Sequence, residues 1–125
     1  MPISYIIPLI ECKVKCFIKN QVIISVQAMP DEPLYNETAL TAMMQSVVNG
    51  GAKALRLAGA RDVINAKKLF DIPIIGLTKP EKLPTNWKEV VYITPTINDI
   101  NEVIESDIIA TDATRSEERR VGKEC

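Results

Sequence analysis

Five apolar runs end in, or carry, a side chain able to do chemistry: Gln27 after VIISV, Arg56 within ALRLA, Lys79 after IIGLT, Thr94 after VVYI and Asp112 after IIAT. An amide, a guanidinium, an amine, a hydroxyl and a carboxylate at successive run ends would wall a polar pocket for a small hydroxylated or anionic ligand. Lys79 is the candidate for acid–base work. Partial burial, or a cationic neighbour such as Arg56, would lower its ammonium pKa until the neutral amine could accept a proton. The plainer alternative is a solvated lysine ahead of a loop, since lysine is almost never buried unpaired. Arg56 interrupts an apolar strand, which is costly unless its guanidinium finds acceptors, and an anionic ligand would supply them. Asp112 either orients Lys79 and binds hydroxyls, or caps a following helix. Gln27 either bridges to ligand oxygens or ties off loop amides.

The elements that must position these residues alternate along the chain. VIIS, AKALRLA, PIIGLTK, VVYIT and DIIATDAT read as extended runs. Between the first two, Asn36 or Thr38 caps a helix whose apolar positions Leu40, Met43, Met44, Val47 and Val48 recur at helical spacing, and Asn49-Gly50-Gly51 ends it. ARDVINAKKLF forms a second helix, with Val63, Ile64 and Leu69 as its apolar face. NDINEVIES forms a third, capped near Thr96 or Asn98, with Ile100, Val103 and Ile104 on one side. PEKLPTNWKE is a proline-bearing loop. Nearly continuous apolar strands alternating with helices predict an α/β protein with a parallel sheet, either an open doubly wound sheet or a (β/α)8 barrel. In both, the carboxyl ends of the strands face the ligand.

Composition removes several function classes. The formal charge of −1, with 15 basic and 16 acidic residues, offers no concentrated basic surface for nucleic acid. No histidine is present, so a histidine triad, histidine metal site and histidine pH switch are excluded. Three cysteines, with Cys12 and Cys16 lacking a partner pair, give neither a disulfide framework nor a zinc site, and fit a reducing, cytoplasmic setting. The apolar run from Tyr5 to Ile10 is far short of the ~20 residues a spanning helix needs, so no membrane partner is expected. Gly50-Gly51 is no phosphate loop, because it follows a helix and precedes a strand.

The motifs VIISVQAMPDEPL, GGAKALRLAG, IPIIGLTK, VYITPT and IIATDAT, in this order across residues 20–114, closely resemble the N-terminal half of bacterial N-acetylmannosamine-6-phosphate 2-epimerases. The resemblance implies a (β/α)8 TIM barrel, reduced here to about its first four βα units. It also implies an isomerase that interconverts N-acetylmannosamine 6-phosphate and N-acetylglucosamine 6-phosphate, in sialic acid and amino-sugar catabolism, with no cofactor. The ligand is then a small amino-sugar phosphate, and the full-length parent a candidate homo-oligomer. By the same resemblance Lys79 acts in proton transfer at sugar C2, while Gln27, Arg56 and Asp112 line the sugar site, and Thr94 is a candidate for it. The chain departs from the family pattern at Val26, where a cysteine is usual, and at Tyr35, where a histidine is common. The helix before DIIATDAT is also shortened.

The two ends read differently from the middle. Residues 1–19 carry no assigned structural role. Residues 115–125, RSEERRVGKEC, are dense in charge without a hydrophobic period and read as a non-native tail resembling a translated sequencing adapter. On that reading the 125-residue chain, lacking the phosphate site and the partner acid of a whole barrel, is expected to be inactive alone. Two other readings compete: a different sugar-phosphate isomerase or lysine aldolase on the same barrel, and a non-catalytic half-barrel that binds a partner.

Overall fold

The computed structural model describes residues 19–112. The expectations for the opening segment up to residue 18 and for the tail from residue 115 fall outside them. Strand β1 (Ile23–Val26) leads through a loop to helix α1 (Glu37–Asn49). Strand β2 (Ala54–Ala58), helix α2 (Ala60–Leu69) and strand β3 (Ile74–Leu77) follow, then a long loop, helix α3 (Ile97–Glu102) and the two-residue strand β4 (Ile108–Ile109).

All pairings are parallel, and the sheet order is β1-β2-β3-β4. Doubly wound sheets reverse direction, in orders such as 3-2-1-4-5-6 or 2-1-3-4-5. Four strands in strict succession do not fit that reversal; they form an arc of a (β/α)8 barrel. The register aligns Ser25 with Arg56, Arg56 with Ile75, and Ile75 with Ile108.

The core lies between the sheet and its helices. Ile24, Val26, Leu55, Leu57, Ile74 and Ile109 contribute from the strands, Leu40 and Met44 from α1, Val63 and Ala66 from α2, and Val103 from the end of α3. Strand side chains alternate, so the residues of opposite parity point to the barrel interior. That parity contains Gln27, Arg56, Lys79 and Asp112.

Helix boundaries follow their caps. Asn36 Oδ1 accepts the Ala39 N–H at 2.7 Å, and Gly50 closes α1 with Gly51 at φ +108°. At α3, Thr96 and Asp99 exchange the two bonds of a capping box. Three expectations are corrected. Helix α3 ends at Glu102, so that Val103 is buried just past it while Ile104 is exposed. Helix α2 buries Asp62, Val63 and Ala66 and packs Phe70 behind them, while Ile64 and Leu69 are exposed. The stripe at 62, 63, 66 and 70 follows the helical period, and 64 and 69 fall outside it. The run VVYIT forms no sheet strand; it belongs to the loop between β3 and α3. Its last residue, Thr94, has φ +46°, a left-handed turn that breaks an extended chain.

Candidate functional site

The carboxyl ends of β1, β2 and β3 surround a cavity of about 280 Å³, lined among others by Gln27, Glu32, Tyr35, Gly59, Thr78 and Lys79. Each wall has a local cause. The β1–α1 loop folds back on itself: the Met29 N–H donates to Glu32 Oε2 at 2.7 Å, and the Glu32 N–H donates to the Met29 carbonyl at 2.9 Å. Gly59 turns β2 directly into α2 at φ +91°, a conformation that favours glycine, and its N–H extends the ladder to Leu77 O at 2.8 Å. Space does not demand that glycine, since a Cβ there would meet nothing within 4 Å.

Gln27 is held in one orientation. Its Nε2 donates to Ser25 Oγ at 2.7 Å, while its Oε1 is buried with no partner. A buried acceptor without a donor costs free energy. Gln27 lines the cavity as a residue, but this oxygen presents almost no surface to it.

Lys79 keeps an exposed surface at the lip of the cavity, but the surrounding walls strip part of its hydration. Burial holds its ammonium below the ordinary lysine range. The Arg56 guanidinium lowers it further, and the Glu32 carboxylate opposes both. Arg56 is half-buried on the interior face, deeper along the sheet than Lys79, and does not line the cavity. Asp112 follows β4 on the same face, with its N–H donating to Ile93 O at 3.3 Å. It does not line the cavity either.

Thr94 stands apart from its expected place. Instead of ending a strand it is buried, and its hydroxyl is engaged twice by protein: it donates to Ala110 O at 2.7 Å and accepts the Thr78 N–H at 3.1 Å. The structure thus brings Gln27 and Lys79 to one cavity and sets Arg56 and Asp112 on the same interior face. It places Thr94 between strand ends.

Glu32 and Ser25 were not singled out from the sequence. The signal for Glu32 was its place in the loop after the first strand, which a barrel turns toward its mouth. For Ser25 it was the two-residue spacing to Gln27. Among the described residues no group of three or more Cys, Asp or Glu side chains is placed to hold a metal.

A family model described as "Putative N-acetylmannosamine-6-phosphate epimerase" matches residues 40–124. The chain belongs to this family. A relative of the same description, a 2-epimerase from Mycoplasma mycoides, is 44% identical over 99 residues, covering 78% of this chain and 42% of the relative. One from Oceanobacillus iheyensis is 37% identical over 99 residues, again 78% of this chain, and 43% of the relative. The solved N-acetylmannosamine-6-phosphate 2-epimerase from Clostridium perfringens is 33% identical, with a TM-score of 0.68 over 80% of this chain and 43% of that one. The chain therefore spans less than half the length of the epimerases it matches.

Proposed function

We propose that these residues supply the acid–base half of an epimerase that interconverts N-acetylmannosamine 6-phosphate and N-acetylglucosamine 6-phosphate. The observation that carries this reading is Lys79, an amine at the carboxyl end of β3 whose proton is made easier to lose by burial and by Arg56. Once the sugar ring opens, the C2 hydrogen is acidic because it lies beside the C1 aldehyde. The neutral Lys79 amine takes that proton, and the electron pair moves into an enolate. A proton delivered to the other face of C2 then gives the opposite configuration, so atoms and charge balance without a redox step.

The remaining roles follow from position. Arg56 presents a fixed positive charge to the interior face where the enolate oxygen or an anionic substituent would lie. Gln27, which lines the cavity, offers its amide to a substrate hydroxyl or to the acetamido group. Asp112 accepts further hydroxyls from the same interior face. Phosphorylated amino sugars are metabolites of the cytoplasm, which is the compartment this reading assigns.

The test is solvent exchange. Carried in a chain of its relatives' full length and incubated in D2O with N-acetylmannosamine 6-phosphate, these residues support incorporation of one deuteron at C2 of the product, and Lys79→Met slows turnover by roughly 10²- to 10⁴-fold. Turnover that leaves C2 protiated, or that survives the substitution, overturns the reading. A lysine of lowered pKa also suits an imine-forming aldolase. Borohydride trapping of a covalent adduct on Lys79 would favour that alternative.

A further inference from the structure

The ends of β3 and β4, which carry Lys79 and Asp112, are joined through a third segment. The sheet ladder between them runs to the Ala110 N–H, which donates to Gly76 O at 2.9 Å. Beyond that point Thr94 is wedged into the gap. Its N–H donates to Thr78 O at 3.1 Å, its hydroxyl accepts from the Thr78 N–H at 3.1 Å, and the same hydroxyl donates to Ala110 O at 2.7 Å. The neighbouring Ile93 carbonyl accepts the Asp112 N–H.

A second tie holds the residue before the lysine. Thr78 Oγ1 donates to Asp99 Oδ1 at 3.1 Å, and Asp99 Oδ2 accepts from the Thr96 N–H at 3.1 Å and from the Thr96 hydroxyl. Every polar group of Thr78 is thus engaged. Thr94 adopts φ +46°, which favours glycine or asparagine and is costly for a β-branched residue. A threonine there sacrifices backbone ease for a hydroxyl, and that hydroxyl is bonded to both strands.

We propose that Thr94 is a positioning residue for the reaction, bridging the ends of β3 and β4 so that Lys79 and Asp112 hold a fixed separation and aim. This rests on the acid–base reading of Lys79. The amine is kept in the cavity with Glu32, Tyr35 and Glu81, and Glu102 lines it from α3, while Arg56 faces it from β2. Loosening the bridge frees the lysine toward water and away from Arg56.

The experiment pairs a titration with kinetics in Thr94→Val, Thr94→Gly and Thr94→Ser. Glycine accepts the backbone conformation without strain, so that variant tests loss of the side chain even where valine does not fold. Asn36→Ala, which uncaps α1 at a residue that does not line the cavity, controls for general destabilisation. NMR of ¹³C-methylated lysines reads the Lys79 midpoint. In Thr94→Val and Thr94→Gly the midpoint moves upward toward the ordinary lysine value. In the same variants kcat falls about 10- to 100-fold with little change in KM. Thr94→Ser restores both, and Asn36→Ala lowers the melting temperature without moving the midpoint.

An unmoved midpoint and unchanged kcat in Thr94→Gly overturn the proposal, and so does a serine variant as impaired as the glycine one. The kinetics are read in a chain of its relatives' full length; if that unsubstituted chain shows no epimerase turnover, the function reading fails. The titration still decides the role of Thr94.

Discussion

Arg56 lies on β2 opposite Ile75 of the neighbouring parallel strand, and Lys79 follows two residues past the end of that strand, at the parity of Ile75. Burial and then this guanidinium hold the lysine below its ordinary range. Two cations on one face would repel wastefully in a purely structural sheet. Here the repulsion adds to burial in making the ammonium proton easier to lose.

That relationship predicts opposite shifts from two neutralising substitutions. Arg56→Gln removes a charge that disfavours the ammonium, so the Lys79 midpoint rises toward 10.5. Glu32→Gln removes the opposing carboxylate, so the midpoint falls further. Lysine NMR titration of both variants checks the signs, and equal shifts in one direction would contradict the arrangement.

Lys79 also imposes a slope on stability. Between its lowered folded value and the unfolded value of 10.5, the unfolded chain binds the proton and the folded one does not. Unfolding free energy therefore rises with pH across that window, and the slope vanishes below it. In Lys79→Met the rise contributed by this residue is absent. Urea midpoints measured across the alkaline range reveal the difference.

Gly76 offers a packing test. A Cβ there would sit 2.8 Å from Ser106 Oγ, 2.9 Å from Ser106 Cβ and 3.1 Å from Val103 Cβ. Gly76→Ala is expected to cost about 1–3 kcal/mol through overpacking where the chain before β4 crosses β3. Adding Ser106→Gly should recover part of that loss, because it removes the atoms that collide. Chemical denaturation of the single and double variants measures the coupling.

Asp62 makes a pH prediction of the reverse kind. Burial raises its pKa above 3.8, against the pull of Arg61, whose Nε lies 3.3 Å away, and with a smaller push from Glu37. A raised carboxyl contributes stability below 3.8, and that contribution is lost as pH rises through the folded value. Asp62→Asn should therefore be more stable than the parent at neutral pH, with the advantage disappearing below 3.8. Thermal melts at the two pH extremes decide it.

Much of this was legible in the residues. Strand-and-helix alternation, the Asn36 and Thr96 caps and the Gly50-Gly51 stop each reflect local preferences that the packed chain obeys. The parity that puts Gln27, Arg56, Lys79 and Asp112 on one face follows from strand periodicity once the runs are placed. The order of the strands was different: alternation alone left barrel and doubly wound sheet open, and the sheet order decided between them. VVYIT misled because β-branched residues favour extended chain wherever they occur. Its role is fixed by partners far away in sequence, Thr78 and Ala110, which no local pattern displays. The orphaned Gln27 oxygen was equally hidden, since it depends on which way Ser25 turns the amide.

The bond pair between Thr78 and Thr94 pins both feet of the chain that runs through Pro80, Trp87 and Tyr92. Lengthening such a closed excursion adds entropy cost only with the logarithm of its length. A foreign peptide grafted among the exposed residues near Leu83 and Trp87 would lengthen this loop while its footings stayed put. New ligand contacts could thus be engineered, or arise by mutation, without disturbing the amine they would serve.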